Sequence, residues 1–342
     1  MSQPILLMSS LSNTTQLIDR FGRIVDYVRI SITDRCDFRC QYCMAEDMVF
    51  LPRAQILTLE EIHTIARAFT ELGVKKIRVT GGEPLVRKGA LQLLENLGRL
   101  SGLNELVLTT NGSQLTTMAQ AIKSAGVKRL NVSLDTLNAE KFKDITRTGD
   151  LHQVLSGIEA ARLARFKRIK INAVVLKNRN HEETTDLVQF AIDRDLDISF
   201  IEEMPLGVIG SHDRAEAYYS SDDIKTDLER HFNLIASTEK TGGPSKYFQV
   251  AGTSTKIGFI SPHSHNFCST CNRVRLTVEG RLLLCLGNEH SVDLKKVIRA
   301  NPGNLDALKK AIVEAMKIKP EKHEFNLNEQ PVIFRHMNVT GG

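Results

Sequence analysis

The chain lacks any apolar run approaching the roughly 18 residues that a bilayer-crossing helix needs, so no membrane-spanning helix is expected. A secretion signal is also missing. Positions 5–8 form a short apolar patch, but no basic residue precedes it and no A-x-A-like cleavage site follows. Residues 1–20 are therefore expected to form a flexible leader, and the chain to be cytoplasmic. Low-complexity tracts, blocks of like charge and fixed-period repeats are absent, which excludes solenoids and compositionally biased tails. Cysteine is scarce: there are 6 in 342 residues, in two groups of three with none left over. A disulfide scaffold does not suit a chain of this length without an export signal.

What is present is a globular composition. Hydrophobic residues make up 42% of the chain, enough for one large domain or one domain with an appendage. The formal charge of +5 is a slight basic excess on a solvated surface and does not by itself point to nucleic acid. Short β-branched runs alternate with helical patterns. Strands are predicted near 25–32, 76–80, 105–109, 129–133, 170–176 and 197–202, and helices near 58–72, 90–100, 116–124, 151–164 and 182–193. Thr58 and Glu61 have the spacing of a capping box, and Gly73 and Gly126 stand where helices should stop.

Strands alternating with helices of this length form βαβ units and a parallel sheet, either a partial barrel or a doubly wound sheet. In both, function gathers in the loops at the carboxyl ends of the strands. Those loops carry T-G-G-E-P at 80–84, T-T-N-G at 109–112, S-L-D at 133–135 and M-P-L-G at 204–207. Beyond about Ser220 the alternation weakens, and T-G-G-P at 241–244 reads as a turn or linker. A strand near 255–260, a hairpin near 275–284 turning at Glu279 and Gly280, and a helix near 305–316 then suggest an appended domain. The expected division is a leader at 1–20, a barrel at 21–235 and a C-terminal domain at 236–342.

The first triplet, Cys36-x3-Cys40-x2-Cys43, lies just after a predicted strand. Three thiolates at these spacings suit a four-iron cluster, whose usual complement is four cysteines. One iron then keeps an open position of the kind that binds a substrate. The competing reading is structural zinc with a borrowed fourth ligand, for which His63, on a predicted helix, is the nearest histidine. The second triplet, Cys268-x2-Cys271-x13-Cys285, is more evenly poised, because His263, His265 and His290 could complete a zinc tetrahedron. Arg273 and Arg275 alternate along a predicted strand and so share a face. They are either a solvated basic edge or, with Arg29, Arg78 and Lys170, a cationic pocket suited to a triphosphate.

The first triplet, with Tyr42 before its last cysteine and the glycine-rich loop at 81–84, resembles the radical S-adenosylmethionine (SAM) superfamily. The likeness extends over nearly the whole chain, from about 21 to 342. F-G-R at 21–23, R-I-S-I-T-D-R at 29–35, F-L-P at 50–52, N-V-S-L-D at 131–135 and M-P-L-G at 204–207 are similar to the GTP 3′,8-cyclase family of molybdenum cofactor biosynthesis. The most specific segment is F-C-S-T-C-N-R-V-R-L-T at 267–277, followed by Gly280, Cys285 and Leu286. The resemblance implies an α/β fold: a partial (β/α)6 TIM-like barrel with an appended C-terminal domain that carries a second cluster.

It also implies two [4Fe-4S] clusters, one on Cys36, Cys40 and Cys43 that chelates SAM, the other on Cys268, Cys271 and Cys285 that meets the guanine of GTP. SAM contacts are implied at Tyr42, Gly82, Ser133 and Met204, and GTP contacts at Arg29, Arg78, Thr109, Lys170, Arg273, Val274 and Arg275. In the implied reaction SAM is cleaved reductively to methionine and a 5′-deoxyadenosyl radical, which takes the C3′ hydrogen of GTP. The sugar radical attacks C8 and, after a further electron and proton, yields (8S)-3′,8-cyclo-7,8-dihydroguanosine 5′-triphosphate. Arg273 and Arg275 would stabilise charge during that reduction, and Gly341 and Gly342 would thread toward the site.

Implied partners are a flavodoxin-type reductant, a cyclic pyranopterin monophosphate synthase that consumes the product, and a second copy of the chain; membrane and nucleic acid are not among them. Ser199 departs from the arginine of many relatives, so no substrate contact is assigned there. Two rivals are another radical SAM enzyme with an auxiliary cluster and a zinc-stabilised nucleic-acid-binding module. The former usually carries more C-terminal cysteines; the latter leaves the loop at 81–84 unexplained and lacks aromatics interleaved with its basic residues.

Overall fold

Apolar and polar residues alternate along the early strands, so each sends one face toward helices and the other inward. In the computed structural model, which describes residues 16–239, 241–327, 329 and 333–341, these strands are β1 (Tyr27–Ser31), β2 (Lys76–Thr80), β3 (Glu105–Thr110), β4 (Arg129–Ser133), β5 (Arg168–Val175) and β6 (Asp197–Glu202). Between them run α1 (Leu59–Glu71), α2 (Ala90–Gly98), α3 (Leu115–Ser124), α4 (Ala139–Thr146), α5 (Leu151–Leu163) and α6 (Thr184–Asp193). Thr58 and Glu61 close the expected capping box at the start of α1. Gly73 and Gly126 follow helices at φ of 92° and 93°, a conformation that favours glycine.

The chain continues through α7 (Arg214–Ala217), α8 (Ser221–Glu229), β7 (Leu234–Ala236), β8 (Lys246–Val250), β9 (Lys256–Ile260), β10 (Arg273–Leu276), β11 (Arg281–Leu283) and β12 (Ser291–Asp293). It then adds α9 (Leu294–Ala300), α10 (Leu305–Met316) and α11 (Met337–Thr340). All strands join one 12-stranded sheet in the order β12-β11-β10-β1-β2-β3-β4-β5-β6-β9-β8-β7. Pairing is parallel from β10 through to β9 and antiparallel at both ends. The linear order leaves the barrel open.

The outward residues Val28, Ile30, Ile77, Val79, Leu108, Leu130, Val132, Ile171 and Ile198 are buried in a core shared with the helices. Each such side chain contributes about 1.5–3 kcal/mol of burial energy. α4, α7 and α8, together with β7, β8, β12 and α9, were not expected; most are too short for periodicity to stand out. The C-terminal region is appended in sequence but not in the sheet. Its β10 pairs with β1 and its β9 with β6, so it lengthens the barrel sheet at both edges.

The expected leader is also too long. Residues 1–15 lie outside the described residues, but Leu17 is buried in the core, Val25 N donates to Leu17 O at 2.8 Å, and Asp19 pairs with Arg23 at 2.6 Å. An apolar side chain and a paired carboxylate anchor this stretch. None of the helices among the described residues is long and apolar enough to cross a membrane.

Candidate active site

The loop after β1 carries the first triplet and is held from two sides. Arg39 N and Gln41 N donate to Thr146 O and Ile145 O at 2.9 and 3.0 Å, and Phe38 meets Phe142 edge-on, tying the loop to α4. Asp37 accepts from Asn111 Nδ2 and Ser113 Oγ, each at 2.6 Å, tying it to the loop after β3. Gly81 and Gly82 pass so close to this loop that a Cβ on Gly81 would lie 2.6 Å from Thr33 O, and one on Gly82 would meet Arg35 O. Only glycine allows that approach.

Buried carboxyl groups surround these cysteines. Glu83 accepts from Leu85 N, Thr110 Oγ1 and Asn111 N at 2.9, 2.9 and 2.7 Å, yet burial pushes it up to about 8. Asp135 accepts from Tyr42 Oη at 2.7 Å and is raised by burial to about 6. Burial pushes Cys43 up to about 12 and raises Cys36 and Cys40, with the neighbouring acidic groups adding to the rise. Stable thiolates here call for metal to replace the protons.

The second triplet has the opposite surroundings. Cys268 and Cys271 flank a single turn, Cys271 N donating to Cys268 O at 3.1 Å, and Cys285 follows β11. Burial by itself would raise Cys271, but Arg273, Lys319 and Arg23 overcome it and the thiol is lowered. Cys285, where burial prevails, is raised. The histidines that kept zinc open are engaged elsewhere: His263 with Glu203 O at 2.8 Å, His265 with Asp222 at 2.8 Å and His290 with Asn288. Among the described residues, no three His, Cys, Asp or Glu side chains converge on a single metal-ion position. None of the six cysteines is in a disulfide. Each triplet offers three soft donors bordering open space, which fits an iron–sulfur cluster with one unprotected iron.

Both triplets border one open cavity of about 2000 Å³, mouth included. Strand register supplies its cationic wall. Arg29 on β1 stands level with Arg275 on β10 and Arg78 on β2, and Asn131 and Ser133 on β4 stand level with Lys170 and Asn172 on β5. Tyr42, Gly82, Ser133, Met204, Thr109, Arg273 and Val274 border the same space. Val274 buries its side chain in the core, so it can present backbone alone. Arg29 Nε, Arg78 Nε, Thr109 Oγ1 and Asn172 Oδ1 are buried without a hydrogen-bond partner, a costly arrangement that a polar ligand would relieve.

Two tyrosines answer this positive charge. Burial opposes ionisation of Tyr27, but Arg78, Arg29, Lys76 and Arg273 pull it down to about 7. Tyr247, 3.3 Å from Lys170 Nζ, is lowered to about 8 because Lys170, with neighbouring hydrogen bonds, outweighs burial.

The C-terminal tail also enters this region. Met337 N donates to Cys43 O at 3.2 Å, Asn338 Nδ2 donates to Asp34 O at 2.9 Å, and Gly341 O accepts from Arg275 Nη1. Gly341 is buried at a φ of 73°, against Thr80. Gly342, expected beside it, lies outside the described residues.

Sequence reasoning missed Asn172, Tyr27, Tyr247, Arg23 and Lys319. Asn172 was within reach, since it lies two residues beyond Lys170 on one strand face. The segment at 241–244, read as a turn or linker, lies in the turn between antiparallel β7 and β8; it also borders the cavity at Thr241, Gly243 and Pro244, pinned where Lys76 Nζ donates to Thr241 O at 2.6 Å.

Two family models match the chain: Radical SAM superfamily over residues 30–191 and Molybdenum Cofactor Synthesis C over 196–325. A protein of Saccharophagus degradans named GTP 3′,8-cyclase is 60% identical over 97% of this chain and 100% of its own length. One of the same name from Marinobacter nauticus is 60% identical over 96% and 99%. Among solved structures, Streptococcus suis SuiB bound to S-adenosylmethionine is similar in fold, with a TM-score of 0.62 at 15% identity, covering 93% of this chain and 78% of that one.

Proposed function

Because the chain belongs to the GTP 3′,8-cyclase family of radical SAM enzymes, we propose that the cavity bordered by both triplets brings SAM and GTP together between two iron–sulfur clusters. The activity itself follows from the family: radical cyclisation of GTP in the first step of molybdenum cofactor biosynthesis. The finer assignments are our reading. Cys36, Cys40 and Cys43 hold the cluster that serves SAM, and Cys268, Cys271 and Cys285 hold a second. When bound and reduced, the first cluster supplies the electron that cleaves SAM.

The protein's own part is positioning and exclusion. Tyr42, oriented by Asp135, and Gly82, Ser133 and Met204 line the SAM end. The Met204 loop is fixed where Arg214 donates to Leu206 O and Gly207 O at 2.7 and 3.0 Å. Arg29, Arg78, Thr109, Lys170, Arg273 and Arg275, with the backbone at Val274, receive the nucleotide, the unpaired donors at Arg29, Arg78 and Thr109 matching phosphate and purine acceptors. Arg273 and Arg275 stabilise charge as the cyclised purine is reduced. Gly341, whose carbonyl accepts from Arg275, carries the tail toward this site. A homodimer, a flavodoxin-type reductant, a cytoplasmic setting and hand-off of product to cyclic pyranopterin monophosphate synthase complete the proposal.

The observation that carries it is the convergence of two cysteine triplets and a row of buried, partly unpaired arginines on one cavity. Its test is an anaerobic assay of the reconstituted protein with dithionite, SAM and GTP, ATP or neither. Roughly eight irons per chain and 5′-deoxyadenosine formation with a cyclised guanine nucleotide only with GTP are expected. SAM cleavage indifferent to GTP would refute the nucleotide assignment.

A further inference from the structure

We propose that Lys319 is the fixed counter-charge of the second cysteine triplet, a positioning residue whose buried ammonium favours the reduced state of the cluster held there. This rests on the second-cluster reading above. Lys319 follows α10, in a stretch with no motif, and is 1% exposed. Its Nζ donates to Leu284 O at 2.7 Å, to Arg273 O at 3.3 Å and toward Cys271 Sγ at 3.7 Å. Leu284 immediately precedes Cys285, and Arg273 comes two residues after Cys271. One side chain thus ties together both arms of the triplet. The next two residues extend the cradle, as Pro320 O and Glu321 O accept from Arg23 at 2.6 and 2.7 Å, and Arg23 Nη1 also donates to Cys268 O at 2.8 Å.

Charge balance separates the two cations. Arg23 is neutralised by Asp19 at 2.6 Å. Lys319 forms no ion pair with a carboxylate among the described residues; its hydrogen-bond partners are two carbonyls and a cysteine sulfur. A fully buried ammonium without an anion is strongly disfavoured. The anion it faces is the Cys271 thiolate and the cluster that thiolate ligates. A cluster with three thiolates is negatively charged and becomes more so on reduction, so a cation in hydrogen-bond contact favours the added electron.

The experiment is an anaerobic EPR-monitored redox titration of the full-length, reconstituted protein as wild type, Lys319→Met, Lys319→Gln and Lys319→Arg, with iron, sulfide and thermal unfolding measured alongside. The second cluster in Lys319→Met and Lys319→Gln is expected to be at least tenfold harder to reduce, about 59 mV for a one-electron couple. The first cluster should not move, and Lys319→Arg should recover most of the difference. Selective loss of the second cluster from folded Met and Gln variants, with retention in Lys319→Arg, also supports a counter-charge. A Gln variant that loads and titrates as wild type overturns it, leaving only a hydrogen-bonding clamp. A wild-type protein with roughly four irons and a single signal would instead sink the second-cluster reading.

Discussion

Two cysteine triplets built from the same donor atoms border one cavity in opposite electrostatic settings. The N-terminal one lies among Asp37, Glu83 and Asp135, and acidic neighbours add to the burial that raises its thiols. The C-terminal one lies among Arg23, Arg273 and Lys319, which pull Cys271 down against burial. Adding an electron beside the buried Asp135, which at about 6 is mostly ionised at neutral pH, is unfavourable, and this suits a strong reductant. Adding one beside buried cations is favourable, and Arg273 among them also borders the cavity proposed to take the nucleotide. Under the proposed reading of two clusters, it is the surroundings, not the shared donor atoms, that divide the labour between the two triplets.

The largest effect should come from breaking the triplets one at a time. Cys40→Ser should abolish 5′-deoxyadenosine formation with or without GTP. Cys271→Ser should leave SAM cleavage measurable while cyclised product falls to background. Chromatographic quantification of both products decides this, and equal loss of both activities in Cys271→Ser would mean that the triplets do not divide the chemistry.

The tail touches both settings, at Cys43 O and at Arg275. Gly341→Ala would force a side chain into the left-handed region and against Thr80. Loss of product on the order of tenfold or more is expected from the backbone strain alone, with iron content unchanged. Removing Gly341 and Gly342 should abolish cyclisation while GTP binding, measured by calorimetry, persists. Full activity after truncation would remove the tail from the site.

Tyr27 tests the cationic side by pH. Its phenol is lowered from 10 to about 7 by Arg78, Arg29, Lys76 and Arg273 acting against burial. Its contribution to the stability of the ligand-free chain is therefore fully present above pH 10 and is lost as pH falls through 7. A bound triphosphate competes with the phenolate for the same cations, so nucleotide binding takes up a proton between pH 7 and 10. Affinity for GTP should fall severalfold from pH 6.5 to 8.5, and Tyr27→Phe should flatten that slope in calorimetric titrations.

The smallest effect concerns the acidic side. Asp135→Asn removes a charge while keeping an acceptor for Tyr42, and should make the first cluster modestly easier to reduce, opposite in sign to Lys319→Met. Shifts of like sign in the two variants would dissolve the contrast.

Much of this molecule is legible in its sequence because the relevant signals are local. The six barrel strands and five of the helices follow from alternation and from caps such as Thr58 with Glu61. Both triplets announce themselves by spacing, and the loop at 81–84 by its glycines. Other features carried no local signal. Lys319 is one lysine among many near the end of a helix, and Asp19 and Leu17 read as part of a loose leader until Arg23 and the core are placed around them.

By itself, then, the sequence determined the six barrel strands, the longer helices between them and the two cysteine triplets that offer metal ligands, since helix and strand periods and ligand spacings are written over a few consecutive residues. Tertiary structure alone decided what each triplet would feel. Arg23 meets the Cys268 carbonyl across 245 positions and the Glu321 carbonyl across 298, and Arg29, Arg78 and Arg275 form a row only because β10 pairs beside β1. Electrostatic fields depend on distance in space, and only the folded sheet sets that distance.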